Sequence, residues 1–168
     1  MPFDFVLYCK SYRRDLLRVK RLLESIRKHN IESIPVYIST PQADRDALFA
    51  LVGENQGYQW IADEEIVQSN PRAPKDIQKT RSGGIAQQVI KSEFWRLGLA
   101  SNYLCIDSDS IFIRNFGKAD FLAPDGYPYT VLHQNKELFQ MATNRGHLRV
   151  EKELRKEAET VKALFGRI

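Results

Sequence analysis

The sequence predicts an α/β fold in which a mostly parallel sheet is flanked by helices. Short apolar runs alternate with segments of helical periodicity, an order typical of parallel strands joined by crossover helices. The 168 residues are enough for a substantial core, and 43% hydrophobic with 27% charged residues is an ordinary globular composition. A late apolar run ends in Asp107-Ser108-Asp109, which places two carboxylates at the end of a predicted strand.

The order of elements follows from the apolar spacing along the chain. Short apolar runs predict strands over residues 3–9, 35–39, 57–61, the run that ends at 106, and 127–134. Apolar positions at helical spacing predict helices over residues 14–29, 42–51, from 83 onward and over most of 136–165. The polar stretch 67–82 is predicted to be a long loop. We therefore expect an α/β core over residues 1–135 and a charged helical segment over 136–168.

The charge of the chain indicates which partners it could bind, and its cysteines indicate the compartment in which it is found. The net charge is +4, and basic residues concentrate in the first third of the chain. Such a surface attracts anionic substrates or an acidic membrane face, although a solvated helix face is the simpler interpretation. We expect no nucleic-acid partner, since no basic motif is interleaved with aromatic residues. Cys9 and Cys105 lie in apolar runs and are predicted to be buried, reduced thiols. Reduced thiols are typical of a cytoplasmic protein, which is the localisation we expect. The basic surface would also allow peripheral attachment to the inner face of the membrane.

The Asp107-Ser108-Asp109 segment is predicted to be a metal site. Residues two apart on an extended chain lie on one face, about 6.6 Å apart. Open α/β sheets bind ligands where their strands end. Carboxylate oxygens there suit Mg²⁺ or Mn²⁺, which commonly keep waters and substrate phosphates as further ligands. We expect Asp107 and Asp109 to hold such a cation against a phosphate.

Polar side chains near two other element ends are candidate binding residues. In a right-handed strand–helix–strand unit, the helix that begins at Gly83 starts at the same sheet edge as Asp107, and helix N-termini favour anions. The residues following the first predicted strand should also lie at this edge, where Tyr12 would stack on a base and Asp15 would bind base or ribose groups. The candidates are Arg81, Gln88 and Lys91 on or beside the helix, and Ser11, Tyr12 and Asp15 after the first strand.

Three segments of the chain resemble GT-A-type glycosyltransferases, and in particular a bacterial family of sugar transferases with few characterised members. They are Tyr12-x-x-Asp15 with Leu22-Leu23-x-Ser25-Ile26, Gly84-x-x-Gln87-Gln88-x-x-Lys91, and the run from Tyr103 to Asp109 with Ile111-Phe112-Ile113-Arg114. Together they span about residues 3–135, and the third segment with its preceding helix is the most specific.

The resemblance implies a Rossmann-like GT-A-type sheet and a nucleotide-sugar donor, commonly a uridine diphosphate sugar. Asp107, Ser108 and Asp109 would lie at the diphosphate, with Mn²⁺ or Mg²⁺ held by the two aspartates, and the loop after the first strand would hold the nucleoside. The sugar would pass to a hydroxyl of an unidentified glycan or lipid-linked acceptor. Such enzymes usually continue well past this segment, so we expect a truncated donor-binding part and assign no catalytic base.

Two other functions are consistent with the sequence. A haloacid-dehalogenase-type phosphatase also places Asp-x-Asp after an apolar strand, with the first aspartate as nucleophile. In that class the motif usually follows the first core strand, whereas three predicted strand–helix units precede it here. A non-catalytic module that retains a transferase fold is the other alternative. An uncovered sheet edge would also allow pairing with a second copy of the chain.

Overall fold

The fold is described from a computed structural model that covers residues 2–54, 56–72, 83–129 and 136–165. The chain forms two compact units, Met1–Pro128 and Tyr129–Ile168, and each is described by itself.

The first unit is built on a sheet whose four described strands are all parallel. Their order across the sheet is β3-β2-β1-β4, so β1 pairs with β2 on one side and with β4 on the other. The fold is therefore α/β and Rossmann-like, as the alternation of strands and helices predicts. The strands are β1 (Phe3–Lys10), β2 (Val36–Thr40), β3 (Gln59–Ala62) and β4 (Ala100–Ile106).

Helices lie between the strands of the first unit, and two helices of 9 and 18 residues form most of the described part of the second unit. Helical character over residues 136–165 was predicted, and it is interrupted only at residues 145–147. The helices are α1 (Leu16–His29), α2 (Arg45–Val52), α3 (Asp63–Gln68) and α4 (Gly83–Glu93) in the first unit, and α5 (Lys136–Asn144) and α6 (Leu148–Phe165) in the second.

The core of the first unit consists of two apolar layers on opposite faces of β1. Alternate side chains of a strand point to opposite faces, so Leu7 packs in one layer with Leu22 of α1, while Tyr8 packs in the other with Phe94. The rings of Tyr8 and Phe94 stack with centroids 3.9 Å apart. Burial on both faces explains why β1 is an almost continuous apolar run, and it fixes α1 and α4 over the sheet.

Three predictions about local structure are wrong. The predicted loop 67–82 begins inside a helix, because α3 covers Asp63–Gln68 and buries Ile66 and Val67. Residues 73–82 lie outside the described part. Cys105 is exposed, unlike Cys9, because β4 is an edge strand of the described sheet and only Ile106 of its residues is buried.

The predicted strand 127–134 is also not present in its described portion. Residues 127–129 contain only an isolated bridge between Leu122 and Pro128, and residues 130–135 lie outside the described part. No helix among the described residues has the length and apolarity needed to cross a membrane.

Candidate functional site

The candidate site lies at the carboxyl ends of β1 and β4. These strands are parallel neighbours, with Cys9 in register with Ile106, so Lys10 and Asp107 leave the sheet at the same edge. The next strand after β1 in sequence, β2, pairs on the opposite side of β1. The direction of winding therefore reverses between β1 and β4, and such switch points are where open α/β sheets form ligand crevices.

A cavity of about 420 Å³ opens at the carboxyl end of β1, and its described lining comes from the ends of β1 and β2 and from α4. Tyr12 from the loop after β1 lines it together with Pro41 from the loop after β2, and the first turn of α4 contributes Gly83 and Gln87. The volume is within the range of small-molecule sites. The end of α4 that faces the cavity is its N-terminus, where free backbone N–H groups and the helix dipole favour an anion.

A buried ion pair lies beside the cavity. Lys10, which lines the cavity, is the last residue of β1, and its Nζ is 3.2 Å from Oδ2 of Asp63 at the start of α3. The side chains are 7% and 0% exposed. Ser39 of β2 also hydrogen-bonds the Asp63 carboxyl, and its Oγ is 2.9 Å from the hydroxyl of Tyr8. A polar network thus joins β1, β2 and α3 where the strands end.

Burial of the Asp63 carboxyl is the main reason why its pKa is raised from 3.8 to about 6, since an apolar environment disfavours the ionised form. The Lys10 ammonium and the hydrogen bond from Ser39 act in the opposite direction. Above pH 6 the pair is therefore ionised. Buried ion pairs rarely stabilise a protein more than apolar residues would, so this pair, which lies beside the cavity, is a candidate for a functional role.

The Lys10 ammonium is positioned to bind an acceptor atom of a ligand. Of its three N–H groups, one points to Asp63 and another donates to the backbone O of Ser11 at 2.9 Å. Within the described residues this leaves one donor on a cation that lines the cavity. The ring centroid of Tyr12 is 5.7 Å from the same Nζ. The cavity therefore presents a cationic donor next to an aromatic ring.

A second ion pair joins α4 to the end of β4. Lys91 Nζ contacts Oδ1 of Asp107, with the lysine side chain 13% and the aspartate 63% exposed. The hydroxyl of Tyr103 donates to the backbone O of Lys91 at 3.0 Å and holds this turn of the helix against β4. The segment after Asp107 is a turn, closed by a 3.0 Å hydrogen bond from Ser110 N to Asp107 O, and Asp109 is exposed on it.

The turn after β4 carries two exposed carboxylates. They belong to Asp107 and Asp109, and the described residues contain no group of three or more His, Cys, Asp or Glu that could hold a metal. Mg²⁺ and Mn²⁺ are commonly bound by one or two carboxylates, with waters and substrate phosphates completing the shell. A cation bound to Asp107 would displace the Lys91 ammonium from that carboxylate.

The structure brings some of the predicted site residues together and leaves others apart. Tyr12 lines the cavity with 41% of its surface exposed, while Ser11 is 1% exposed and accepts the Lys10 hydrogen bond through its backbone O. Asp15 forms a 2.9 Å ion pair with Arg18 and does not line the cavity. Ser108 is half-buried between the two aspartates.

Of the predicted residues on α4, Lys91 lies in the last turn of the helix and contacts Asp107 of the Asp-x-Asp turn. Gln88 is exposed and does not line the cavity, because the neighbouring Gln87 occupies the helix face that does. Arg81 lies outside the described residues.

Sequence reasoning missed Lys10 and Asp63. The available signal was a lysine that ends an apolar strand and an aspartate that follows another. Because parallel strands end at the same edge of a sheet, two opposite charges in these positions are candidates for a buried pair.

Comparison with known proteins gives one family. The model of a family of unknown function, DUF6492, matches residues 4–161. No curated protein matches the sequence.

Proposed function

This chain is a member of the DUF6492 family, and we propose that it binds a nucleotide-diphosphate sugar and acts as a glycosyltransferase or as the donor-binding part of one. The acceptor would be a hydroxyl of a glycan or of a lipid-linked molecule.

One observation carries the proposal. The Asp107-Ser108-Asp109 turn leaves the sheet beside the strand end that opens into the 420 Å³ cavity. A diphosphate needs cationic and metal-binding groups, whereas a nucleoside needs a concave site with an aromatic surface. Both kinds of group occur on the ends of the adjacent strands β1 and β4.

The nucleoside would occupy the cavity. Tyr12 offers a ring on which a base would stack, and Lys10 offers an N–H to a carbonyl oxygen of that base or to a phosphate oxygen. Asp63 and the backbone O of Ser11 hold the Lys10 ammonium in place. These contacts would bind the donor without taking part in bond breaking.

The diphosphate would lie between the N-terminus of α4 and the Asp-x-Asp turn. Lys91 would move from the Asp107 carboxylate to a phosphate oxygen, which leaves Asp107 and Asp109 to hold Mn²⁺ or Mg²⁺. When bound, the cation would neutralise the negative charge that develops on the leaving diphosphate. Ser108, which is half-buried, would keep the two aspartates in a turn rather than in an extended chain.

Calorimetric titration of uridine diphosphate, with and without Mn²⁺, tests the proposal. We expect binding that is at least tenfold tighter with Mn²⁺, and loss of this metal dependence in Asp107→Ala/Asp109→Ala. Asp4→Ala is a control, because Asp4 is an exposed carboxylate at the amino end of β1, whereas the site lies at the carboxyl ends of the strands. Absence of uridine diphosphate binding in the wild type, or full metal dependence in the double variant, would falsify the donor site.

Activity assays separate the remaining alternatives. Release of uridine diphosphate from a uridine diphosphate sugar would establish an enzyme, whereas binding without turnover would indicate a non-catalytic module. Hydrolysis of a generic phosphate ester that is abolished in Asp107→Asn would instead indicate a phosphatase with Asp107 as the nucleophile.

A further inference from the structure

The positive charge of this protein is concentrated on one helix. From residue 13 to residue 28, in the turn before α1 and along α1, seven basic and two acidic residues give a net charge of +5, which exceeds the +4 of the whole chain. All seven basic side chains are exposed. They are Arg13, Arg14, Arg18, Lys20, Arg21, Arg27 and Lys28.

The basic residues lie on the side of α1 that faces away from the sheet. Leu16, Val19, Leu22, Leu23 and Ile26 form the buried stripe. At 100° per residue, Leu17, Arg21, Glu24 and Lys28 lie within about 45° of the direction opposite to this stripe, and Lys20 lies about 85° from that direction, at the border of the exposed side. We call these five residues the outer face of α1. Leu17, in the middle of this face, is 65% exposed.

Few of these charges are neutralised within the protein. Among the described residues, Arg18 is the only one of the seven that forms an ion pair, with Asp15 at 2.9 Å. The outer face holds three basic side chains and a single acidic one. A fully solvated helix face is normally mixed in sign along its surface, so this surplus of one sign indicates an anionic partner.

We propose that the outer face of α1 binds the surface of an anionic lipid bilayer. The helix is about 21 Å long, and Arg21 and Lys28 lie only about 20° apart around its axis, so both can meet a planar surface. Leu17 would enter the headgroup region while the long side chains of the flanking Lys and Arg residues bury their methylenes and keep their charges in water. This inference is independent of the proposed sugar transfer.

A lipid surface fits the outer face better than a nucleic acid does. The outer face has no aromatic side chain on which a base could stack and no amide for contacts to adenine. The outer face also has the exposed Leu17 among its charged residues, and an apolar side chain makes no favourable contact with a phosphate backbone. With one apolar residue available, attachment would be mainly electrostatic and therefore reversible and sensitive to salt.

Vesicle co-sedimentation of the full chain tests this proposal. We expect binding to vesicles that contain one third phosphatidylglycerol, no binding to vesicles of phosphatidylcholine alone, and release by high salt. Lys20→Glu/Arg21→Glu/Lys28→Glu should lower the partition coefficient roughly a hundredfold, since each basic residue near the surface contributes about fivefold. Leu17→Ser should lower it only severalfold.

The matched control places the same charge change elsewhere. Arg149→Glu/Lys152→Glu/Lys156→Glu alters three exposed basic residues of α6 by the same total charge and should lower binding only severalfold. Circular dichroism confirms that both triple variants fold. Equal loss in the two variants, or no binding of the wild type to the anionic vesicles, overturns the proposal. Binding to a DNA duplex in place of vesicles, lost in the α1 variant, would overturn it in favour of a nucleic-acid surface.

Discussion

Lys10 and Asp63 form a buried ion pair across the end of the sheet, with Nζ and Oδ2 3.2 Å apart. Lys10 ends β1, and Asp63 is the first residue of α3, directly after β3. Since β2 lies between β1 and β3, the pair spans three strands at the edge that carries the candidate site. Its geometry therefore affects both the stability of the fold and the shape of the cavity.

Loss of one partner of this pair should strongly destabilise the protein. Lys10→Met leaves the Asp63 carboxylate buried without its cation, and we expect the free energy of unfolding to fall by about 3–5 kcal/mol. Urea unfolding followed by circular dichroism measures this. Lys10→Met/Asp63→Leu should recover most of the loss, because neither charge then remains buried.

An exposed ion pair provides the matched control for Lys10→Met. Lys118 lies 3.5 Å from Asp4, with the two side chains 43% and 85% exposed. Lys118→Met should cost less than about 1 kcal/mol, because solvent screens such pairs. If Lys10→Met lowered the free energy of unfolding no more than Lys118→Met does, the buried pair would not contribute to stability as predicted.

Asp63 should also give the stability a characteristic dependence on pH. Its pKa in the folded protein is about 6, above the 3.8 of an unperturbed aspartate. Between these values the folded state keeps a proton that the unfolded state has lost. The contribution of Asp63 to stability therefore falls as pH rises from about 4 to 6, by up to about 1.4 kcal/mol per pH unit, and is constant above that window.

Comparison with Asp63→Asn isolates this effect from the other carboxylates. The asparagine does not titrate, so the unfolding free energy of wild type minus that of the variant should decline by about 3 kcal/mol across the window, 2 pH units at about 1.4 kcal/mol each. Urea unfolding at a series of pH values gives both curves. Two curves that run parallel between pH 4 and 6 would mean that the pKa of Asp63 is not raised by burial.

The sheet could be predicted because the apolar pattern that defines its central strand and first helix is visible within short stretches of sequence. The apolar residues of β1 recur without interruption, since both faces of this central strand are buried, and α1 shows a clean helical stripe. β4 was predicted to be equally buried and is not. Its apolar residues look the same in the sequence, but burial depends on how many neighbours a strand has, which spacing does not reveal. Exposure of Cys105 follows from that difference.

The candidate site was only partly predictable for a related reason. The carboxyl end of β4 and the beginning of α4 were both expected at this sheet edge, since strand direction and crossover handedness place them there. The contact between Lys91 and Asp107 was not predicted, because Lys91 lies in the last turn of α4. Gln88 was preferred to Gln87, although one residue along a helix rotates a side chain by 100°. Only the packing of α4 determines which of the two faces the cavity.

Tyr12 should contribute to nucleoside binding beyond its contribution to stability. The residue is 41% exposed at the cavity, so Tyr12→Ala removes a stacking surface together with some buried area. We expect the dissociation constant of uridine diphosphate to rise roughly tenfold, within the range of base–aromatic stacking, when binding is measured under conditions in which urea unfolding shows the variant to be folded. Tyr12→Phe is the control and should bind like the wild type, because it keeps the ring. Weak binding by both variants would point to the hydroxyl instead of to stacking.

Lys91 should compete with a divalent cation for the Asp107 carboxylate. The ion pair is half open to solvent, with Asp107 63% exposed, and such pairs contribute at most about 1 kcal/mol, or roughly fivefold in an equilibrium. Lys91→Met should therefore tighten Mn²⁺ binding to the nucleotide-free protein by up to about fivefold. Electron paramagnetic resonance of free Mn²⁺ measures this.

The same substitution should weaken nucleotide binding, because Lys91 is proposed to transfer its charge to a phosphate. With Mn²⁺ saturating, Lys91→Met should raise the dissociation constant of uridine diphosphate by about tenfold, and it should change that of uridine little. Lys91→Arg keeps the charge and should lie close to the wild type in both titrations. The backbone O of Lys91 retains its bond from Tyr103 in each variant, so the position of the helix is not altered. Tighter metal binding together with weaker nucleotide binding is expected if Lys91 moves from Asp107 to a phosphate. If the ion pair were purely structural, its loss would lower both affinities together.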